Sequence, residues 1–423
     1  MTRYEYALDI LKKSSGSGSM LGLERISALV SLLGDPQDRL SVIHVAGTNG
    51  KGSFCAMMSA ILSEQGMKVG AFNSPAMLSP NDQIRIGGVP VSDEFFSDAV
   101  IKAYEIGKKL NEPPTEFELV TAAAFIIFTE QKCDFAVVEC GMGGDGDATN
   151  IIKSPLLSVI TNVALDHCAY LGRTASEIAR HKAGIIKSGR PVFFGGSDKD
   201  ALAVIQETAK RIGSKLYTPN TLAFKPAKEI TDCTSLIYKR RKYTVPLKGA
   251  YQQLNLINVL SCVDILREQG ITVDDNSVKN GLMKVRWEGR FELLCNDPVI
   301  IFDGAHNPDG MQQLCESIRR YYPDNKPAIL IGVLADKDHK LYGSLLKGLV
   351  RRAFAVSPDN PRALASDKLA ESLGSSGIDA VPFNNIREGL DCAMKYCKAN
   401  KCPLFIIGSL YMYKDITALL AAK

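Results

Sequence analysis

The chain has 423 residues, a formal net charge of +4 and 46% hydrophobic residues, enough for two or three domains with full cores. Balanced charge with no basic block excludes nucleic acid as an expected partner, and the longest apolar runs, such as 122–128 and 404–407, are far too short to span a bilayer. The first thirteen residues lack a secretory core and the eleven cysteines form no Cys-x-x-Cys pair, so a cytoplasmic protein whose thiols serve as small hydrophobes is expected.

In chain order, residues 1–13 read as a helix, 14–19 as a short Gly/Ser loop, and 41–45 as a β-branched strand. The strand stops at Gly47-Thr48-Asn49-Gly50-Lys51-Gly52-Ser53, and a helix-forming run follows over 54–65. Strand, glycine loop with lysine, then helix is how α/β proteins cradle phosphate: loop amides and the helix entrance face the anion, and the lysine adds charge. The loop departs from the common pattern, with Val45 where a glycine is usual and Gly52 where a hydroxyl is usual, which leaves Ser53 as the nearest hydroxyl for a Mg²⁺.

Strand-like runs at 69–73, 135–139, 157–161 and 192–194 alternate with helical runs at 93–110, 118–131 and 175–186, the signature of a parallel sheet covered on both faces. Short alternating runs within 225–248 predict an antiparallel hairpin, and a helix follows over 252–268. The pattern restarts with a strand at 298–302, a helix at 310–321 and strands at 328–333, 353–356 and 403–407. The expected fold is therefore α/β: a phosphate-loop domain with a mostly parallel sheet over 1–287 and a smaller Rossmann-like domain over 288–423.

Ligands of open parallel sheets bind at the carboxyl ends of the strands. Glu139 and Asp166-His167 fall at such ends, on the rim of the phosphate loop, and a carboxylate, an imidazole and the Ser53 hydroxyl suit one or two Mg²⁺ ions beside ATP. Imidazole is an unusual partner for that ion, which makes His167 the sharper marker. Lys182 closes a helical run, where the residues alone favour a solvated lysine complementing the helix dipole. In Asp303-Gly304-Ala305-His306-Asn307-Pro308, a helix entry accounts for Asn307 and Pro308 but not for Asp303 or His306, and Arg290 sits where a hinge would let a guanidinium reach a phosphate.

These residues, with Leu21-Gly22-Leu23-Glu24-Arg25, the His44–Ser53 wording of the loop, Leu165-Asp166-His167, Glu288-Gly289-Arg290-Phe291-Glu292 and Gly408-Ser409-Leu410-Tyr411, resemble folylpolyglutamate synthases of the Mur ligase superfamily along nearly the whole chain. The resemblance implies an ATP-dependent ligase that adds L-glutamate to the γ-carboxylate of a (tetrahydro)folate through an acyl phosphate, with addition to dihydropteroate as the alternative. It implies that Thr48, Asn49, Gly50, Lys51, Gly52 and Ser53 hold ATP together with Asn255, Arg290, Asp303 and His306. It also implies Mg²⁺ on Ser53, Glu139, His167 and Lys182, the last carbamylated by CO₂. Catalytic roles fall on Lys51, Lys182 and His306, and the folate pocket on Ser74, Pro75 and Arg85.

Departures from the family pattern are Asn73 to Leu78, Asn81 to Arg85, Asp145 for a common arginine and Tyr251 for a common histidine. A Mur-type peptidoglycan ligase would normally place a UDP-binding domain before the loop, which here begins by residue 47. A simple phosphate-loop kinase would not need the second unit with Asp303 and His306. Small-molecule substrates, no membrane and a monomer are the expected setting.

Overall fold

The computed structural model describes residues 1–15, 21–227 and 233–422. The Gly/Ser stretch expected over 14–19 lies largely outside the described residues, as do residues 228–232 of the hairpin region. Among the described residues no helix is long and apolar enough to cross a membrane.

Eight strands form the first sheet: Ser41–Ala46 (β1), Val69–Phe72 (β2), Ile84–Ile86 (β3), Val89–Pro90 (β4), Phe135–Glu139 (β5), Leu157–Ile160 (β6), Val192–Phe194 (β7) and Leu216–Tyr217 (β8). Their order is β4-β3-β2-β5-β1-β6-β7-β8, parallel from β2 to β8 with β3 and β4 added antiparallel at one edge. Every residue of β2, β5, β6 and β7 is buried, as expected of strands covered on both faces. Alternate residues serve opposite layers. Val42, Ala136 and Val138 pack towards helices Asp93–Gly107 and Glu116–Glu130, whereas Ile43, Val45 and Val137 pack towards helices Lys51–Glu64 and Gln252–Glu268. The chain leaves β1 towards β2 on one side and later reaches β6 on the other, so a crevice opens at the carboxyl ends of β1, β5 and β6.

The expected hairpin is present as Thr234–Tyr238 (β10) and Arg241–Val245 (β11), but Phe224–Pro226 (β9) joins it to make three strands. Its inward residues Leu236, Tyr243 and Val245 join the core beneath helix Gln252–Glu268.

A six-stranded sheet follows, of Glu292–Asn296 (β12), Val299–Asp303 (β13), Ala328–Ile331 (β14), Ala353–Ala355 (β15), Ala380–Pro382 (β16) and Leu404–Ile407 (β17), ordered β12-β13-β17-β14-β15-β16. All its pairs are parallel except β12 with β13. Asp303 ends β13, and the helix Pro308–Tyr321 starts five residues later under an Asn307 cap, which places 303–308 at a strand-to-helix turn.

Candidate active site between the two sheets

The helix after β1 begins at Lys51, three residues before the run expected from sequence, because Gly50 turns the chain into the left-handed region (φ 85°) and helical geometry resumes at once. Gly50 supplies no side chain to cap this helix, unlike Thr115, Thr174 and Asn307 at other helix entrances. Its first-turn amides are thus left to an external acceptor. Lys51 folds back over the loop, its Nζ 3.3 Å from the Thr48 carbonyl and 3.7 Å from the Glu139 carboxylate.

Neighbouring segments fix the loop. The Thr48 hydroxyl donates to the Ala164 carbonyl and accepts from the Ala164 amide, both at 3.0 Å, and the Asn49 amide donates to Asn162 at 2.7 Å. Gln252 donates to the Ser53 hydroxyl at 3.3 Å and accepts from Asn255 at 2.9 Å. A Cβ at Gly50 would stand 2.4 Å from Asn255 Oδ1, so Asn255 lies directly against the loop.

Glu139, at the end of β5, is buried and accepts from Asn73 at 2.8 Å and from the Ser74 backbone. Burial pushes its carboxyl up, against the pull of Lys51 and Asn73 and of the Arg290 guanidinium reaching across from the second unit. Ser74 and Pro75 therefore adjoin Glu139. Arg85 does not: its guanidinium lies 3.3 Å from Glu288 and over the Trp287 ring, and is tied to the carbonyls of Asp82 and Gly88.

His167 is held at φ 51°, a conformation that costs a non-glycine residue roughly 1–2 kcal/mol and concentrates at functional sites. Burial lowers its imidazole to about 4, against the opposing pull of Asp166. Lys182 is 3% exposed, and the acidic groups Asp166 and Asp147 act on it only weakly and at a distance. The solvated helix-end lysine favoured by the residues alone is thus corrected. The loop 141–147 closes over its backbone so tightly that a Cβ at Gly144 would lie 3.0 Å from Lys182 Cα. Burial, reinforced by the Lys51 charge, brings the Lys182 amine down to about 7.

Asp166 joins the two sheets. It accepts from Lys337 at 2.6 Å and Asn307 at 3.0 Å, and His306 Nε2 lies 3.6 Å away. Burial alone would raise its carboxyl, but His306, Lys337 and His167 together hold it well below the usual carboxylate range. Asp309 completes the seam by accepting from Asn49 at 2.7 Å and from Asn162 at 3.2 Å. Asp303 is fully engaged on both sides of the seam: it accepts from the Tyr251 hydroxyl of the first unit at 2.7 Å and, within its own unit, from the amides of Phe291 and Ala305 at 3.0 and 2.9 Å.

The structure therefore brings together the loop, Glu139, Asp166, His167, Lys182, Arg290 and His306, adds Asp309 and Lys337, which the sequence did not single out as site residues, and sets Arg85 apart beside Trp287 and Glu288. Asp166→Ala would leave the Lys337 ammonium, only 8% exposed, without its partner. It is expected to loosen the seam by about 3 kcal/mol, seen as a larger radius of gyration in solution scattering; an unchanged profile would deny Asp166 this part.

The Mur ligase middle domain model matches residues 45–263, and the Mur ligase glutamate ligase domain model matches 289–409. The chain is 33% identical to the dihydrofolate synthase/folylpolyglutamate synthase of Bacillus subtilis, over 98% of both chains. The chain belongs to the folylpolyglutamate synthase family of Mur ligases. Among solved structures of the family, Escherichia coli FolC in complex with DHPP and ADP superposes with a TM-score of 0.88 at 27% identity, covering 100% of this chain and 98% of that one. A bifunctional folylpolyglutamate synthase/dihydrofolate synthase with Mn, AMPPNP and L-glutamate bound gives 0.85 at 28% identity, with 100% and 98% covered.

Two departures from the family pattern have visible partners. Tyr251 spends its hydroxyl on Asp303, and Asp145 pairs with His181 Nδ1 at 3.0 Å, beside the backbone that carries Lys182.

Proposed function

We propose that this protein is an ATP-dependent ligase that joins L-glutamate to a folate carboxylate, releasing ADP and phosphate. One observation carries the reading most directly: a phosphate loop, a buried carboxylate and a buried lysine face Arg290 and His306 of the glutamate-ligase unit across one seam. The family relatives act on folates, and one is described with a nucleotide, a divalent cation and L-glutamate together. Residues 1–287 form the nucleotide-binding domain in this reading and 288–423 the domain that completes the cleft. One chain supplies both sides, so a monomer suffices.

The residues fit a nucleotide with Mg²⁺. The helix entrance has no side-chain cap. Among the described residues no three His, Cys, Asp or Glu side chains form a ready-made metal cage. Mg²⁺ keeps several waters and borrows phosphate oxygens, so it needs few protein ligands. Ser53, Glu139 and His167 would hold it, and when bound it neutralises phosphate charge. Thr48, Asn49, Gly50 and Gly52 shape the cradle for the β- and γ-phosphates, while Lys51 offsets the charge that shifts as the γ-phosphoryl moves to the carboxylate. Arg290, Asn255 and His306 position the nucleotide, and Asp303 holds the 289–291 turn in place. The acyl phosphate then meets the glutamate amine, and phosphate leaves with the former carboxylate oxygen.

Lys182, buried and brought down to about 7 so that a large share of its amine is neutral near that pH, is suited to take up CO₂ as a carbamate, converting a cation into a ligand for the ion. Ser74 and Pro75, beside Glu139, would line the folate pocket. All eleven cysteines are free, which suits a reducing, cytoplasmic setting.

Purified protein with ATP, Mg²⁺ and L-glutamate, challenged in turn with dihydropteroate and with mono- and polyglutamyl tetrahydrofolates, is expected to release phosphate only when an acceptor and glutamate are both present. Absence of glutamate-dependent release with every acceptor would refute the proposal. The panel also separates folate extension from dihydrofolate synthesis.

A further inference from the structure

The geometry points to Trp287, the only tryptophan in the chain, as a positioning residue that braces the phosphate loop against the segment carrying Arg85. A Cβ built at Gly52 would lie 2.5 Å from Trp287 Cζ2, 2.9 Å from Cε2 and 3.0 Å from Nε1. Gly52 is in the first turn of helix Lys51–Glu64, outside the left-handed region, so lack of room rather than backbone conformation demands glycine there. This accounts for the loop's departure from the common phosphate-loop pattern. The indole occupies the space a side chain at 52 would need, and the hydroxyl moves on to Ser53.

The same ring is held from the antiparallel edge of the first sheet. The Arg85 guanidinium lies over it, 5.7 Å from the ring centroid, and its Nη2 pairs at 3.3 Å with Glu288, the next residue along. Two backbone carbonyls, Asp82 and Gly88, anchor Arg85 within the antiparallel edge of the sheet. Trp287 also packs against the core cluster that includes Phe54, Cys55 and Met58 of the loop helix. It directly precedes the Glu288–Arg290 turn, whose Gly289 carbonyl accepts from the Gly304 amide at the end of β13. Any shift of the 84–90 edge or of the hinge therefore bears on the first helical turn, whose amides face the phosphates. Trp287 sets where that turn stands when this edge and the second unit are in place. The inference rests on reading residues 47–53 as the nucleotide loop.

The test is a double-mutant cycle on ADP affinity, measured by calorimetry on the full chain, which needs no turnover. Gly52→Ala is expected to weaken ADP binding by about tenfold or more, equivalent to about 1.4 kcal/mol. In a Trp287→Leu background the same substitution is expected to cost less than about threefold. Trp287→Phe, which withdraws the atoms nearest Gly52 yet keeps a ring for Arg85, should relieve the clash as well and guards against a misfolded leucine variant. Emission of the single tryptophan should change on ADP addition. Equal weakening by Gly52→Ala in all three backgrounds, or tryptophan emission indifferent to ADP, would overturn the inference. Failure of the wild type to bind ADP would instead overturn the nucleotide reading beneath it.

Discussion

Lys51→Ala is expected to lower turnover by about 10³-fold or more, the scale seen when one preorganised charge is removed from a site where charge moves in the transition state. The ammonium lies over the loop at 3.3 Å from the Thr48 carbonyl and has Glu139 as its acidic neighbour at 3.7 Å. Bound phosphates would compete for it, and no other lysine contacts the loop in this way among the described residues. The fold should survive. Glu139 keeps its bonds from Asn73 and the Ser74 backbone, so leaving it without Lys51 costs about 1–3 kcal/mol. Steady-state assay alongside a thermal melt decides the matter; near-wild-type turnover in a folded variant would remove Lys51 from the mechanism.

Lys182→Ala is the second large effect, an expected loss of about 10²-fold or more with partial, saturable rescue by formate or acetate. The rescue distinguishes a missing carboxylate surrogate from a missing cation, because an added anion cannot replace an ammonium. The sign of the pH dependence follows from the same residue. Only the neutral amine adds CO₂, and with the amine at about 7 its neutral fraction falls as pH drops through that value. Stripping bicarbonate should therefore inactivate the wild type reversibly, and the bicarbonate needed for half-recovery should be higher at pH 6 than at pH 8. A Lys182→Ala variant deaf to carboxylates, together with a wild type indifferent to bicarbonate, would contradict the carbamate.

Sequence and structure agree best where strands are sealed on both faces. β5 and β7 span the same residues as the apolar runs that announced them. The strands β3, β4, β8 and β16 are two or three residues long and mostly part-exposed, too short for any periodicity to declare itself. The early start of the loop helix was hidden by Gly52, a poor helix former whose presence answers to Trp287 far along the chain.

The cleft divides in the same way. Glu139 and His167 follow recognisable strand ends, and the loop declares itself through its glycines. Asp309 and Lys337 gave no such signal, since their partners Asn49 and Asp166 lie 260 and 171 residues away. Lys182 misleads when read locally. A helix end suggests solvent, yet loop 141–147 closes against its backbone and the side chain is buried.

The central claim, that this cleft activates a carboxylate by phosphorylating it, is tested most directly by following oxygen. Folate acceptor labelled with ¹⁸O in the carboxylate to be extended is incubated with ATP, Mg²⁺ and L-glutamate, and the released phosphate is analysed by mass spectrometry. Attack of the labelled oxygen on the γ-phosphorus, followed by amine displacement of phosphate, predicts one ¹⁸O in each phosphate released. Unlabelled phosphate accompanying glutamylated product would contradict the account.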